Sequence, residues 1–433
     1  MSKKKLLVLG GKPIGSYELV DAAKSLGHYV IVTDYLPKAE SPAKRIADES
    51  WDISTGDIDA LKAACRETGV DGVLAGVHEF NLQKMALLAE ELGMPCYCTV
   101  AQQELCEDKE AFKNACRVHG LEVARAYSED EAMELPEDAY PLAIKPRDGS
   151  GSRGFTKCLS KDDLLEAIAR AKENSFCNEA LIEEFIQSDA LIAEYTGHQG
   201  EVYFCGLTDK HSRVMGNGGA PIMALQAAPA RCTQDFLEKA DPLIREMLRD
   251  LGMTEGPIWL EIFLVGDRFV VNEAGYRFGG SLTYHLVREL YGINQMKLLI
   301  DHALGEHDGV VIPRRVFDGD YIIWPLHLHA GKIAAIEGLE WLRSQPEFVA
   351  LAQVHWVGDE ISNWGSAQQV FAYLHLKGES LAWLINKMRD VLDNISVMSD
   401  SGEDMLFALF DPNDGRQDNE KPNFLAEDLL EGR

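Results

Sequence analysis

The chain has 433 residues, 46% of them apolar and 26% charged; at roughly 150 residues per domain, that is two or three ordinary globular domains. There are 42 Lys and Arg against 70 Asp and Glu, a formal net charge of −28. Such a field repels nucleic acid and anionic membrane surfaces, so neither is an expected partner. A phosphate-bearing ligand must then be held by a few local cations and backbone N–H groups.

In chain order, residues 6–9, 29–33 and 72–75 read as strands and 15–26, 58–68 and 81–92 as helices. Strand–helix alternation at this spacing makes a parallel sheet with helices on both faces, here an α/β domain over 1–103. The apolar run at 6–9 is shorter than the ~7–15 residues of a secretion signal, and no stretch reaches the roughly 20 apolar residues of a membrane span. The nine cysteines include no CxxC, and the one close pair, Cys96 and Cys98, has no second pair to complete a zinc site. Scattered thiols without an export signal read as reduced core residues of a cytoplasmic protein.

Gly10-Gly11-Lys12-Pro13-Ile14-Gly15 joins the first strand to the first helix, and Asp34 ends the next strand. A dinucleotide fingerprint needs glycine where Lys12 stands, and a P-loop needs Gly-Lys-Ser/Thr where the chain has Gly15-Ser16-Tyr17. The loop therefore reads as a tight strand–helix turn, and an NAD-dependent oxidoreductase is demoted. His78 and Glu79 end the third strand, where small ligands sit in such sheets, and are candidates for substrate contact.

From 104 to 135 the pattern is helical, with Lys109 opening a helix over 109–119. From 140 the texture changes to apolar strands joined by glycine-rich turns. The strand at 141–146 carries Lys145 and runs into Arg147-Asp148-Gly149-Ser150-Gly151-Ser152-Arg153-Gly154, after which a strand resumes at 155–158. Its glycines, serines and arginines offer the donors and charge a polyphosphate needs, at a hairpin tip able to close as a lid. The plainer alternative is a solvated turn. Downstream, Glu183-Glu184-Phe185-Ile186 ends an apolar strand that can present backbone amides to an adenine edge and an acid to a ribose. Singly, Lys109 and Glu184 read as exposed charges.

Residues 258–265 and 269–271 flank Gly266-Asp267 as a hairpin. It holds Glu261 and Glu273 in apolar company, which is costly without a partner or a metal. A two-residue turn would set Glu261 opposite Asn272. A three-residue loop shifts the register by one and sets it opposite Glu273. Two facing carboxylates suit Mg²⁺, which takes one or two carboxylates plus substrate phosphates. The structural alternative is salt bridging to Arg277 or Arg288.

Together these elements resemble the ATP-grasp superfamily of carboxylate–amine and carboxylate–thiol ligases. The ordered motifs are the Lys109 helix, Lys145 before the second glycine loop, Glu183–Ile186, Glu261, and Glu273 with Arg277-Phe278-Gly279-Gly280. Over about residues 1–410 the resemblance implies a parallel-sheet α/β domain, a two-lobed α+β ATP-grasp domain at 104–310 with its lid lobe at about 141–187, and a mainly β C-terminal domain at 311–410 like that of biotin carboxylases. A polar tail at 411–433 follows. The cofactors implied are ATP and Mg²⁺. Lys109 and Lys145 would contact phosphates, Ser150, Gly151, Ser152, Arg153 and Gly154 would form the flexible loop, and Glu183, Glu184, Phe185 and Ile186 the adenine strand. Glu261 and Glu273 would hold the metal, and Arg277, catalytic with Lys145, would stabilise an acyl phosphate. His285, Gly279 and Gly280 join His78, Glu79 and Arg277 as substrate candidates, while His327 and His329 read as structural.

The family's metal motif reads Glu-x-Asn-x-Arg, whereas Glu273-Ala274-Gly275-Tyr276-Arg277 has Gly275 for the asparagine. The acid expected after the adenine strand is reduced to Asp189. Ala228-Pro229-Ala230 lacks the polar run that biotin carboxylases place before it, so biotin is an unlikely substrate. The reading is an ADP-forming ligase of a small carboxylate, an amino acid or related acid, with an amine; homodimerisation is left open. The alternative is a degenerate ATP-grasp protein that binds a nucleotide or metabolite without ligase activity.

Overall fold

The computed structural model describes residues 3–148, 154–188, 190–214, 221–306, 315–362 and 365–413. The N-terminal strands form one parallel sheet in the order Glu49–Trp51, Tyr29–Thr33, Lys5–Leu9, Gly72–Ala75. Their apolar runs are buried on both faces under the helices Ser16–Ser25, Ile58–Thr68 and Glu79–Leu92, as a parallel sheet requires. Local signals set the ends of Ile58–Thr68: the Asp57 carboxylate accepts from the Ala60 N–H, and Gly69 closes the helix in the left-handed region at φ +70°.

The first glycine loop is packed as a turn. Gly11 donates its N–H to Asp34 Oδ2 at 2.8 Å, and a Cβ on Gly11 would lie 2.2 Å from Ser41 Oγ. Asp34 is itself buried against Lys44 at 3.0 Å. The space and the acid a dinucleotide would use are both occupied by side chains. Six of the cysteines are buried, Cys96 and Cys232 are half-buried and Cys177 is exposed, so the core reading fails for Cys177.

A small antiparallel sheet, Ala126–Tyr127, Ala180–Glu184, Leu142–Pro146, Thr156–Cys158, carries the helix Leu164–Glu173 on one face. Leu142, Ile144 and Ile182 pack against that helix, so by strand alternation Ala143 and Lys145 face the other way. Next to it stands the large sheet. From one edge it runs Phe348–Gln353, Val370–Gly378, Asp320–Leu328, Pro221–Ala228, Glu201–Val214, Ala190–His198, Gly256–Val265, Arg268–Gly275, Glu122–Val123. The C-terminal strands thus continue the central sheet, through pairing of Gln226–Ala228 with Tyr321–Ile323. Among the described residues no helix is long and apolar enough to cross a membrane.

Candidate active site

All of these parts border one cavity of about 1330 Å³. Lys109 enters it from the first turn of Lys109–Val118, a helix fixed by Asp108, whose carboxylate accepts from the Glu110 and Ala111 N–H groups. Arg147 grips the same carboxylate with Nε at 3.1 Å and Nη2 at 2.9 Å, and Glu179 at 2.5 Å. Arg147 therefore clamps the root of the second glycine loop to the helix, and its charge is not free for phosphate. Residues 150–153 of that loop lie outside the described residues; Gly154, at φ +73°, closes it where a Cβ would lie 2.6 Å from Asn174 Cβ.

Lys145 pairs with Glu183 at 2.9 Å and donates to Asn272 Oδ1 at 3.1 Å. The second oxygen of Glu183 takes Lys113, which is 1% exposed. Burial alone would raise the Glu183 carboxyl, but the two ammonium groups hold it below the usual range. Burial pulls Lys113 down to about 8, with the charge of Lys145 adding to the effect. Burial opposes Lys145 as well, yet Glu183 keeps it above the ordinary lysine value. Glu183 thus serves as counter-ion to two lysines. Sequence reasoning missed Lys113, although its spacing of four from Lys109 puts both on one helix face.

The hairpin carries the paired acids. Its turn has two residues, Gly266 and Asp267, with Val265 opposite Arg268 and Ile262 opposite Val271. A bulge between Glu261 and Ile262 then supplies the one-residue shift, and Glu261 faces Glu273. The facing pair is as expected; the three-residue loop is not, because the extra residue, Asn272, sits within the strand. Its amide donates to Glu261 Oε1 at 2.9 Å, and Lys210 meets Oε2 at 2.5 Å. Burial raises the Glu261 carboxyl, but Lys210 outweighs it and keeps the acid ionised. Neither expected arginine pairs with it: Arg277 meets Glu79 at 2.5 Å, and Arg288 meets Glu289 at 2.9 Å.

Among the described residues no cluster of three or more His, Cys, Asp or Glu forms a ready-made metal cage. Two hard carboxylates on a cation-occupied wall fit Mg²⁺, whose remaining positions go to phosphates and water; the Lys210 ammonium stands on Glu261 where such a cation would. Gly275 has a steric cause. A Cβ there would lie 2.4 Å from Trp259 Nε1, and the indole backs the Arg277 guanidinium at 5.2 Å. Restoring the family residue with Gly275→Asn should cost about 1–3 kcal/mol through overpacking, measured as a lowered unfolding midpoint; an unchanged midpoint would show that the ring moves freely.

Glu184 accepts from the Arg125 N–H at 2.9 Å, and Phe185 lies under Lys157 at 4.2 Å. Phe185 and Ile186 follow the strand Ala180–Glu184 and line the cavity, as do Glu79, Gly279 and Gly280. His78 is exposed, outside the cavity wall. His285 is buried against Tyr284 and His375, with burial pushing it down to about 3, and does not reach the cavity. His327 is buried, and His329 stacks on Phe407 at 4.5 Å. Lys210, Glu107 and Glu194 are cavity residues that sequence reasoning passed over. Glu194 carries the signal that flagged Glu261, a charge inside an apolar run, whereas Lys210 stands among Thr208, Asp209, His211 and Ser212 and carries no such signal.

A sequence model of the ATP-grasp domain matches residues 114–286. Over 309 residues the chain is 25% identical to the formate-dependent phosphoribosylglycinamide formyltransferase of Prochlorococcus marinus strain NATL2A, covering 70% of this chain and 77% of that one. Its fold is similar to the L-amino acid ligase of Bacillus licheniformis, at a TM-score of 0.72 and 20% identity over 92% of this chain and 99% of that one. It is also similar to the biotin carboxylase domain of the Hydrogenobacter thermophilus 2-oxoglutarate carboxylase, at a TM-score of 0.76 and 18% identity over 93% and 91%. Residues 114–286 of the chain thus match an ATP-grasp domain.

Proposed function

We propose that the protein activates a small carboxylate, an amino acid or related acid, as an acyl phosphate and joins it to an amine, using ATP and Mg²⁺ and releasing ADP and phosphate. The observation that carries this reading is the convergence of Lys109, Lys145, Lys210, Arg277 and the facing Glu261 and Glu273 on one cavity. A formate-dependent formyltransferase and an L-amino acid ligase among the similar proteins support a small carboxylate as the activated group. Residues 1–103, 104–310 and 311–410 act as an α/β domain, the nucleotide-binding domain and a C-terminal domain, in the cytoplasm.

Phosphoryl transfer needs positioning and charge neutralisation rather than a covalent nucleophile. A carboxylate oxygen attacks the γ-phosphorus and ADP leaves. The amine then attacks the acyl carbon, phosphate departs, and the amine proton passes to solvent. Lys109 and Lys145 hold phosphate oxygens, the loop with Ser150 to Gly154 covers them, and the segment from Glu183 to Ile186 receives the adenine. Mg²⁺ on Glu261 and Glu273 supplies positive charge to the phosphates. Arg277, braced by Glu79 and Trp259, faces the acyl phosphate.

ADP release over a panel of acids and amines tests this: release should require both partners. Nucleotide binding without ADP release from any pair would instead identify a binding protein without ligase activity. Lys109→Ala removes one charged phosphate contact of about 1.5–3 kcal/mol, or roughly 10–100-fold in ATP affinity by calorimetry. Unchanged affinity would remove Lys109 from the phosphate site.

A further inference from the structure

The strand Ala190–His198 runs through the middle of the large sheet, and Glu194 interrupts its apolar sequence. Glu194 is 2% exposed, yet it lines the cavity, and its Oε1 has no hydrogen-bond partner. Of the other acids of the cavity, Glu183 is paired with Lys113 and Lys145 and Glu261 with Lys210, while Glu107 is less buried and has one oxygen on the Gln83 amide. An unmatched buried carboxyl is expensive to keep, and at a binding wall the missing partner is a ligand group.

The surroundings say which group. Trp259 lies opposite Glu194 on the neighbouring strand. Gly279 lies against this corner, where an added Cβ would meet Thr283 Oγ1 at 2.8 Å and Glu194 Oε1 at 3.7 Å, so glycine leaves room there that no other residue would. The Thr283 hydroxyl stands beside Glu194, outside full hydrogen-bond distance, and favours its ionised form. Arg277 is the charge that faces Glu194, but its guanidinium is committed to Glu79 and to the Phe278 carbonyl. Burial pushes the Glu194 carboxyl up to about 8 against the pull of Thr283 and Arg277, and the nearby Cys205 thiol, pushed by burial to about 12, is neutral. The wall thus offers a neutral acid that a cation would ionise, a few side chains from the arginine assigned to the acyl group.

We infer that Glu194 recognises the cationic amino group of the acid substrate, so that the substrate is an amino acid held with its ammonium on Glu194 and its carboxylate toward Arg277. This rests on the ligase reading above and narrows its substrate class. On binding, the carboxyl of Glu194 gives its proton to solvent, and the resulting carboxylate pairs with the ammonium.

The test uses the full chain with Mg²⁺ and a non-hydrolysable ATP analogue, titrated at pH 7 with each standard L-amino acid and its des-amino counterpart, such as alanine against propionate. Wild type should bind at least one amino acid more than roughly tenfold tighter than its counterpart, a difference typical of one charged contact, with a heat that depends on the ionisation enthalpy of the buffer. Glu194→Gln matches the neutral acid in shape, so it should keep the unfolding midpoint and the affinity for ADP. It should lose both the preference and the proton release. No amino acid bound, counterparts bound equally well by wild type, or a preference kept by Glu194→Gln would each overturn the inference. Failure of the ligase reading looks different: the preference is present and lost in Glu194→Gln, but no amine elicits ADP.

Discussion

Glu273→Gln should lower ADP release by at least about 10²–10³, the scale of losing one preorganised electrostatic contact at a phosphoryl-transfer site. The acid faces Glu261 across the hairpin, and its charge acts on Lys109, Lys145 and Lys210. Two bare acids in an apolar hairpin would repel, and removing one charge would then stabilise the protein. Here Lys210 and Asn272 already compensate Glu261, so the substitution leaves the metal-free protein no more stable than before. The distinguishing measurement is ATP affinity with and without Mg²⁺. Wild type should show a strong metal dependence and Glu273→Gln a weak one. An active Glu273→Gln enzyme with normal metal dependence would reject the assignment.

What the sequence carried plainly is what local physics encodes. The helix Ile58–Thr68 and the strand Gly72–Ala75 follow from periodicity, an Asp cap and a left-handed glycine, all within a few residues. The bulge at Asn272 was not legible, because one inserted residue leaves the alternation intact on either side of it. The Lys113–Glu183 pair spans 70 positions, and a buried lysine on an amphipathic helix looks like any solvated one until the lid sheet is placed over it. Continuation of the central sheet into Asp320–Leu328 depends likewise on pairing with a strand about a hundred residues earlier. Arg147 was misread for a related reason: a glycine-rich loop advertises its charges, and only the fold shows that Asp108 and Glu179 had already taken one. Apolar strands interrupted by one charge, in contrast, pointed to the cavity at Glu261 and, unheeded, at Glu194.

Glu183→Gln should cost about 3–5 kcal/mol at pH 7, the scale for breaking a buried ion pair from one side. It leaves Lys113 and Lys145 together without their carboxylate, in a place where Lys113 is 1% exposed. The pair also joins the helix Lys109–Val118 to the lid strand Ala180–Glu184, so the loss should appear as a loosened lid and weaker ATP binding as well as a lower urea midpoint. The pH dependence has a definite sign. The depressed carboxyl of Glu183 contributes stability above its unfolded value of about 4.3, and that contribution is lost as pH falls through its lower folded value. Lys113, drawn down to about 8 in the fold, titrates near 10.4 unfolded. The unfolded chain therefore binds the extra proton between those values, and stability rises with pH across them. In Glu183→Gln both lysines lack a counter-ion, so the deficit should be largest at neutral pH and shrink at pH 9.5 as Lys113 sheds its proton. Adding Lys113→Met should recover much of the loss, since an apolar replacement removes the stranded charge. A single variant within about 0.5 kcal/mol of wild type, the range of an ordinary surface change, would show that the triad carries no such weight.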